Sequence, residues 1–472
     1  MRRNAFVLAF LVLALASCTS VSRLSPVPAR ADGVNRLLLV DVQGKPPGSL
    51  RIRPVDPSTL ADLPGFVPLD FGHHDTSAIS PDDRTLAAFV WPSGSSNSGG
   101  KLHLIDLVQW TDSTPGITVD DYVGDLTFGP AGQSLFWTIP TARDSEHNLP
   151  WDFVLQRYDL GSPAPSLVVR LPPSFVPAWR GVRPLADGRH LAIYCMPTDA
   201  NNLAEDAPHV LIVDLAARQI VADLRLTGVK AGEVQVNDSG DTEDAYRIFR
   251  PGLAWDLARN RLYVVDADDD WITVVDLAER RILERARMHP RSSILDRIGR
   301  WLAPPAEAKA VPSTTRTAEL SPDGKRLYVI GTEEGDSLNT MGLQVVDTHD
   351  LTVIRRLDVP ATDVALSPDG RRLVLHPWWP ASAGTPERQG VFTFDTDGPS
   401  ERGHAYLGSP YFLFGVSPNS RYAYISDPVR TGEAVVTSLR VLDLRSSRVV
   451  AERTVDGGYA DLFPVRRSAD DN

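Results

Sequence analysis

The sequence predicts an all-β chain folded as a single β-propeller of four-stranded blades. Three observations predict it. A turn signal recurs seven times, a strand-like run ends in aspartate eight times, and the C-terminal segment supplies a strand that the N-terminal segment lacks.

The turn signals are Ser80-Pro81-Asp82-Asp83, Gly129-Pro130-Ala131-Gly132, Leu185-Ala186-Asp187-Gly188, Asp256-Leu257-Ala258-Arg259, Ser321-Pro322-Asp323-Gly324, Ser367-Pro368-Asp369-Gly370 and Ser417-Pro418-Asn419-Ser420. Proline presets φ for the first central turn position, and Asp with Gly tolerates the left-handed end, so each signal joins two antiparallel strands. Runs such as Leu191-Ala192-Ile193-Tyr194 and Leu327-Tyr328-Val329-Ile330 follow them, with the β-branched and aromatic content of buried strands. The aspartate marks are Asp56, Asp106, Asp159, Asp214, Asp276, Asp347, Asp395 and Asp443, separated by 50, 53, 55, 62, 71, 48 and 48 residues. That is the period of a four-stranded blade.

Taken in chain order, the first element is an address. Met1-Arg2-Arg3-Asn4 is basic, Ala5 to Ala16 is an unbroken apolar run, and Leu15-Ala16-Ser17 leads into Cys18. The run is shorter than the ~20 residues that span a bilayer. The segment resembles a bacterial lipoprotein signal, residues 1–17. The resemblance implies cleavage before Cys18, a diacylglycerol on its thiol, and a protein anchored by lipid in the cell envelope, outside the cytoplasm. Residues 18–35 mix Ser, Pro and Gly without apolar periodicity and read as a flexible tether.

The propeller is expected over residues 36–466, with a tail at 467–472. Arg36 to Val42, Ser49 to Val55 and Gly65 to Leu69 read as three strands of one blade. Tyr459 to Val465 aligns with the other pre-turn strands and supplies the innermost strand of that blade. This closes the ring and removes open sheet edges. The count is eight blades, or seven if the N-terminal segment pairs elsewhere. Two stretches break the period. Gly228 to Gly252 is acidic and irregular and reads as a long surface loop. In the insertion at 291–316, Ile294, Leu295, Ile298, Trp301 and Leu302 stand at helical spacing before Pro304-Pro305, which predicts a short amphipathic helix.

Leu262-Tyr263-Val264-Val265-Asp266 with Trp271-Ile272-Thr273-Val274-Val275-Asp276-Leu277 resembles the YVTN-type propeller repeat, and Leu320-Ser321-Pro322-Asp323-Gly324-Lys325-Arg326-Leu327 is similar to repeats of TolB-like propellers. The fourth YVTN position departs, being Asp266 and Gly331 here. The resemblance implies a blade and not a chemistry, since such propellers include binding proteins, scaffolds and lactonases.

Composition excludes several classes of function. The chain has 472 residues, 48 basic and 60 acidic, for a formal charge of −12, which gives no electrostatic footprint for nucleic acid. Two cysteines, Cys18 and Cys195, make neither a disulfide framework nor a zinc site. Cys195 sits in an apolar run and reads as a buried thiol. No Gly-x-Ser-x-Gly elbow, phosphate loop or dinucleotide glycine pattern occurs. No cofactor is predicted, with a divalent metal as the open alternative. His73, His74 and Asp75 are the candidate metal or acid/base group, Asp268-Asp269-Asp270 reads as a solvated hairpin turn or a calcium site, and His376-Pro377-Trp378-Trp379-Pro380 as loop packing or a partner contact.

In a propeller the innermost strands start on the face where the longer connections gather, so residues four to six positions before each turn signal ring the channel mouth. Those positions are Asp75, Asp125, Arg180, Arg250, Arg316, Asp363, Phe412 and Tyr459. Arginine recognises carboxylate or phosphate in bidentate fashion, so Arg180, Arg250 and Arg316 are expected to take a small anionic ligand, with Asp75, Asp125, Asp363 and Tyr459 beside them. The alternative is that Arg and Asp pair with each other across the mouth. The expected function is therefore a lipid-anchored binding or scaffold protein for a small ligand or a protein. A lactonase-like hydrolase or isomerase of sugar-derived substrates is the rival.

Overall fold

The computed structural model describes residues 35–43, 49–69, 72–92, 99–114, 116–119, 123–141, 152–199, 203–236, 245–290, 315–333, 336–340, 342–357, 359, 361, 363–376, 390–397, 401–405, 412–431, 434–456 and 460–466. Among them there is no helix; the strands form eight antiparallel blades around a ring, with one extra hairpin. Cys18, the tether up to residue 34, the segment 293–302 for which a helix is expected, Pro377 to Pro380, Tyr459 and the tail lie outside the described residues, and no described helix is long and apolar enough to cross a membrane.

Blades 1 to 7 begin with the innermost strands Gly72–Ile79, Leu126–Phe128, Phe175–Pro184, Gly252–Asp256, Thr315–Leu320, Asp363–Leu366 and Phe412–Val416, each followed outward by its own second, third and outer strands. Residues 315 and 316 thus belong to the innermost strand of blade 5, and the insertion ends before them. Blade 8 is composite. Its innermost strand is Ala460–Arg466, and Asn35–Gln43, Ser49–Val55 and Val67–Pro68 complete it. Leu38 stands opposite Phe463 and Leu39 opposite Leu462 in that ladder.

All seven turn signals join an innermost to a second strand, and local hydrogen bonds explain the recurring residues. The last residue of six of these signals, and Asn260 directly after the fourth, sit at positive φ, from 52° at Asn260 to 70° at Gly132. In four turns a buried serine does double duty: Ser80, Ser321, Ser367 and Ser417 each donate their hydroxyl to the Asp or Asn two residues on and accept the amide five residues on. The serine hydroxyl therefore substitutes for water at a backbone amide leaving the turn.

The aspartate marks end the third strands on this same face, and most of them cap the next turn. The Oδ1 of Asp56, Asp106, Asp214 and Asp443 accepts two amides each, two and three residues on. Four residues beyond these marks, and beyond Asp276 and Asp347, the chain takes a φ of 53° to 59°. The face opposite holds the connections between second and third strands and from blade to blade.

The core lies at the seams between blades. Eight clusters of buried apolar side chains each straddle two neighbouring blades, from Leu102, Leu126 and Trp137 between blades 1 and 2 to Leu39, Tyr424 and Leu462 between blades 7 and 8. Each fully buried Leu or Val contributes roughly 1.5–3 kcal/mol of transfer free energy. Cys195 is a free, fully buried thiol in one such cluster, and burial pushes its pKa well above the usual value.

The stretch from Gly228 to Gly252 departs from the expected loop. Gly232–Val236 and Ala245–Phe249 pair as an antiparallel hairpin beside the ring. The alternation Glu-Val-Gln-Val and the run Ala-Tyr-Arg-Ile-Phe carry strand character that the acidic residues between them obscure.

Asp214 shows what a capping aspartate contributes. The amides of Ala217 and Ala216 donate to its Oδ1 at 2.9 and 3.0 Å, and the Arg189 guanidinium grips Oδ2 at 2.7 and 2.9 Å. These bonds lower its pKa from 3.8 to about 2. A carboxylate that binds its proton more weakly folded than unfolded contributes stability fully present above 3.8 and lost as the pH falls toward 2. Asp214→Asn is therefore expected to flatten the fall of the urea midpoint between about pH 5 and pH 2. An unchanged slope would contradict this account.

Candidate functional site

The innermost strands place most of the expected ring on the backbone. Asp125 directly precedes Leu126, Arg250 precedes Gly252 by two residues, Arg316 is the second residue of its strand, and Asp363 and Phe412 begin theirs. Asp75 falls at a bulge between His74 and Thr76 in the first strand of blade 1. The side chains of His73, His74, Asp75, Asp363 and Phe412 are outside the described part. Among the described residues no group of three or more His, Cys, Asp or Glu side chains is arranged to hold a metal ion.

Two charged groups stand out, at different seams. The first joins blades 2 and 3. Pairing between the first two strands of blade 3 is interrupted between Pro177 and Val182, and Arg180 takes a φ of 58° inside that interruption. The detour turns the amide of Val182 to Asp125, whose Oδ2 accepts it at 2.8 Å. Arg183 Nη1 stands 3.5 Å from the same oxygen and donates to the carbonyl of Val182 at 2.7 Å. Asp125 and Arg183 are both buried. Burial pushes the Asp125 carboxyl up, opposed by the charges of Arg183 and Arg180 and by the Val182 amide. Burial likewise pushes the Arg183 guanidinium down, and Asp125 opposes that.

The second group joins blades 4 and 5. The amide of Arg316 donates to the carbonyl of Arg250 at 2.8 Å, so these two expected arginines are neighbours along the backbone. Gly252 permits the approach: a Cβ there would stand 3.0 Å from that of Ala318 and 3.3 Å from that of Arg316. Arg250 is exposed, whereas Arg316 is only 4% exposed. Arg316 Nε donates to the carbonyl of Asp266 at 3.2 Å, and Nη2 lies 3.6 Å from Asp270 Oδ1. Its Nη1 is buried with no hydrogen-bond partner among the described residues. Burial pushes the Arg316 pKa down, opposed by Asp270 and Asp266.

The loop beneath Arg316 is organised by Asp266. Its Oδ1 accepts the amides of Asp268 at 2.9 Å and Asp269 at 3.1 Å, and its Oδ2 accepts that of Lys230 at 3.2 Å. Lys230 Nζ pairs with Asp268 and lies 5.4 Å from the centre of the Phe249 ring. Asp268 and Asp270 thus face cations of the protein itself, as a hairpin turn explains.

Counting from the turns finds the heads of the strands but not their partners. Arg183 and Lys230 carry no signal in that count, Asp266 stands out only as a departure from the repeat, and Asp270 reads there as part of a turn or calcium site and not as a partner of Arg316. Arg183, two residues before Leu185, lay outside the counting window, and the interruption at 177–182 brings it to Asp125. Asp125 and Arg316 of the expected ring each face a charge from outside it, Arg183 and Asp270 respectively, and Arg316 keeps a nitrogen without a hydrogen-bond partner among the described residues.

Compared with known proteins, the chain matches no family model and no curated protein. Among solved structures it resembles one described as dihydro-heme d1 dehydrogenase NirN in complex with DHE, with a TM-score of 0.52 and 12% identity over 95% of this chain and 80% of that one. That likeness shows the fold: an eight-bladed β-propeller.

Removing one partner of a buried pair strands the other charge, at a cost of roughly 3–5 kcal/mol. Asp125→Ala is expected to lose about that much in chemical denaturation. Asp125→Leu combined with Arg183→Met is expected to recover part of it. Equal losses in the single and double variants would show that the charges are not coupled.

Proposed function

We propose that this chain is a lipid-anchored binding protein of the cell envelope whose loop face takes a small anionic ligand. The observation that carries the reading is Arg316: a guanidinium buried at the head of an innermost strand, with Nη1 unpartnered among the described residues. A buried donor left unsatisfied costs about 1–3 kcal/mol, which a carboxylate or phosphate oxygen would return. Arg250 stands next to it, and Arg180 belongs to the same ring of strand heads. NirN, described in complex with DHE, is similar in fold, but the anionic reading rests on Arg316 and not on that likeness. Anchoring rests on the basic and apolar residues before Cys18.

Titration calorimetry of the purified protein with mono-, di- and tricarboxylates and sugar phosphates tests the binding. One class is expected to bind, and Arg316→Ala is expected to weaken it at least about 30-fold while blade packing, read by thermal unfolding, persists. Arg316→Lys keeps the charge without the fork and is expected to fall between the two. Undiminished affinity in Arg316→Ala, or turnover of a lactone in place of stable binding, would overturn the reading. Cys18→Ser is expected to abolish the resistance of the protein to alkaline extraction from membranes, and a substituted, processed protein that still resists would contradict anchoring.

A further inference from the structure

The tight-turn face carries a feature that the ligand reading does not use. At the seam of blades 6 and 7 the turns leave a cleft of about 800 Å³, lined by Arg371, Arg372, Arg402, Arg421 and Arg445 together with three aspartates. Basic residues outnumber acidic ones there, in a chain with 48 basic and 60 acidic residues overall. Arg372 and Arg402 share Asp395, and Arg421 Nε lies 3.3 Å from Asp443. Arg371 and Arg445 are exposed, and among the described residues neither guanidinium makes an ion pair or hydrogen bond.

The chain enters the ring on this same face. Asn35 stands opposite Arg466, the last residue of the innermost strand of blade 8, where the other blades have their tight turn. Blade 8 adjoins blade 7, through the cluster of Leu37, Leu39 and Tyr424. Cys18 lies about 17 residues upstream of Asn35, a reach of no more than about 60 Å. A lipid on Cys18 would therefore tether the propeller by the face that carries the cleft, and tethering makes any contact of that face with the bilayer intramolecular.

We infer that this cleft docks on the membrane surface, with Arg371 and Arg445 engaging the phosphates of anionic phospholipid headgroups. The inference rests on the anchoring proposed above. Planar guanidinium groups suit phosphate oxygens, and a basic patch adds to an acyl anchor as a second attachment signal. The loop face with Arg316 then points away from the bilayer.

The test uses the mature chain, residues 18–472, which holds every strand of the ring, carrying Cys18→Ser so that no acyl chain contributes. Co-sedimentation is measured at low salt with vesicles of phosphatidylcholine alone and with added phosphatidylglycerol. Binding is expected only with phosphatidylglycerol, and Arg371→Ala/Arg445→Ala is expected to reduce it about 30-fold with unchanged thermal unfolding. Equal binding to both vesicles, or full binding by the double variant, would overturn the inference. Displacement by submillimolar inorganic phosphate would do so as well, by identifying a site for free anions. The anchor is read separately, from the intact mass of protein extracted from native membranes. An unmodified Cys18 contradicts the anchoring and the docking geometry with it, whereas an acylated Cys18 without vesicle preference contradicts the docking alone.

Discussion

Closure of the ring by its own two ends is the constraint on which the rest of this structure depends. Leu37 to Val40 are fully buried, and they sit in a ladder between the C-terminal strand and Ser49–Val55. Along this strand side chains alternate between two seams: Leu38 and Val40 pack against blade 1, Leu37 and Leu39 against blade 7. One strand thus completes two of the eight cores. Without it both seams would open, and the last blade would present an unpaired edge. Polar groups reinforce the junction. Asp41 accepts Arg51 at 2.9 Å and Arg53 at 2.7 Å, while Arg53 and Arg453 of blade 7 both reach Asp62.

A closed ring also sorts the chemistry between its faces. Four-residue turns, each held by its own hydrogen bonds, occupy one face and leave little freedom there for insertions. Apart from the link between Val55 and Val67, the long departures from the repeat, including the strand pair 232–236 and 245–249 and the segment between Pro290 and Thr315, issue from the other face. That face bears the heads of the innermost strands, where adjacent blades approach closely enough for Asp125 to bind a backbone amide of blade 3 and Arg316 one carbonyl of Arg250. Buried charge is tolerated at these heads because strand ends present unpaired backbone groups that can share it.

Much of this was legible because its causes are local. A serine that bonds the residue two positions on, or an aspartate that caps the amides two and three positions on, leaves a fixed short pattern, so turns and blade boundaries could be counted. Closure was legible because the segment from Tyr459 to Val465 repeats the apolar pattern of the pre-turn strands beyond the last turn signal. What escaped depends on how blades sit against each other. The partnership of Asp125 with Arg183 needs the irregular stretch at Pro177–Val182, and that of Arg316 with Asp266 and Asp270 needs a loop from the neighbouring blade. Neither follows from spacing along one strand. The hairpin at 232–249 was hidden for a different reason, since its strands flank an acidic stretch whose polarity masks their alternation.

Hydrogen exchange at the closing ladder tests the closed ring most directly. In a ring closed by both ends, the amides of Leu37 to Val40 and of Leu462 should exchange only through global unfolding, at the same free energy as Leu191 to Tyr194 in blade 3. Exchange of the closing ladder at a much lower free energy, while blade 3 stays protected, would contradict closure as the constraint that holds the propeller together.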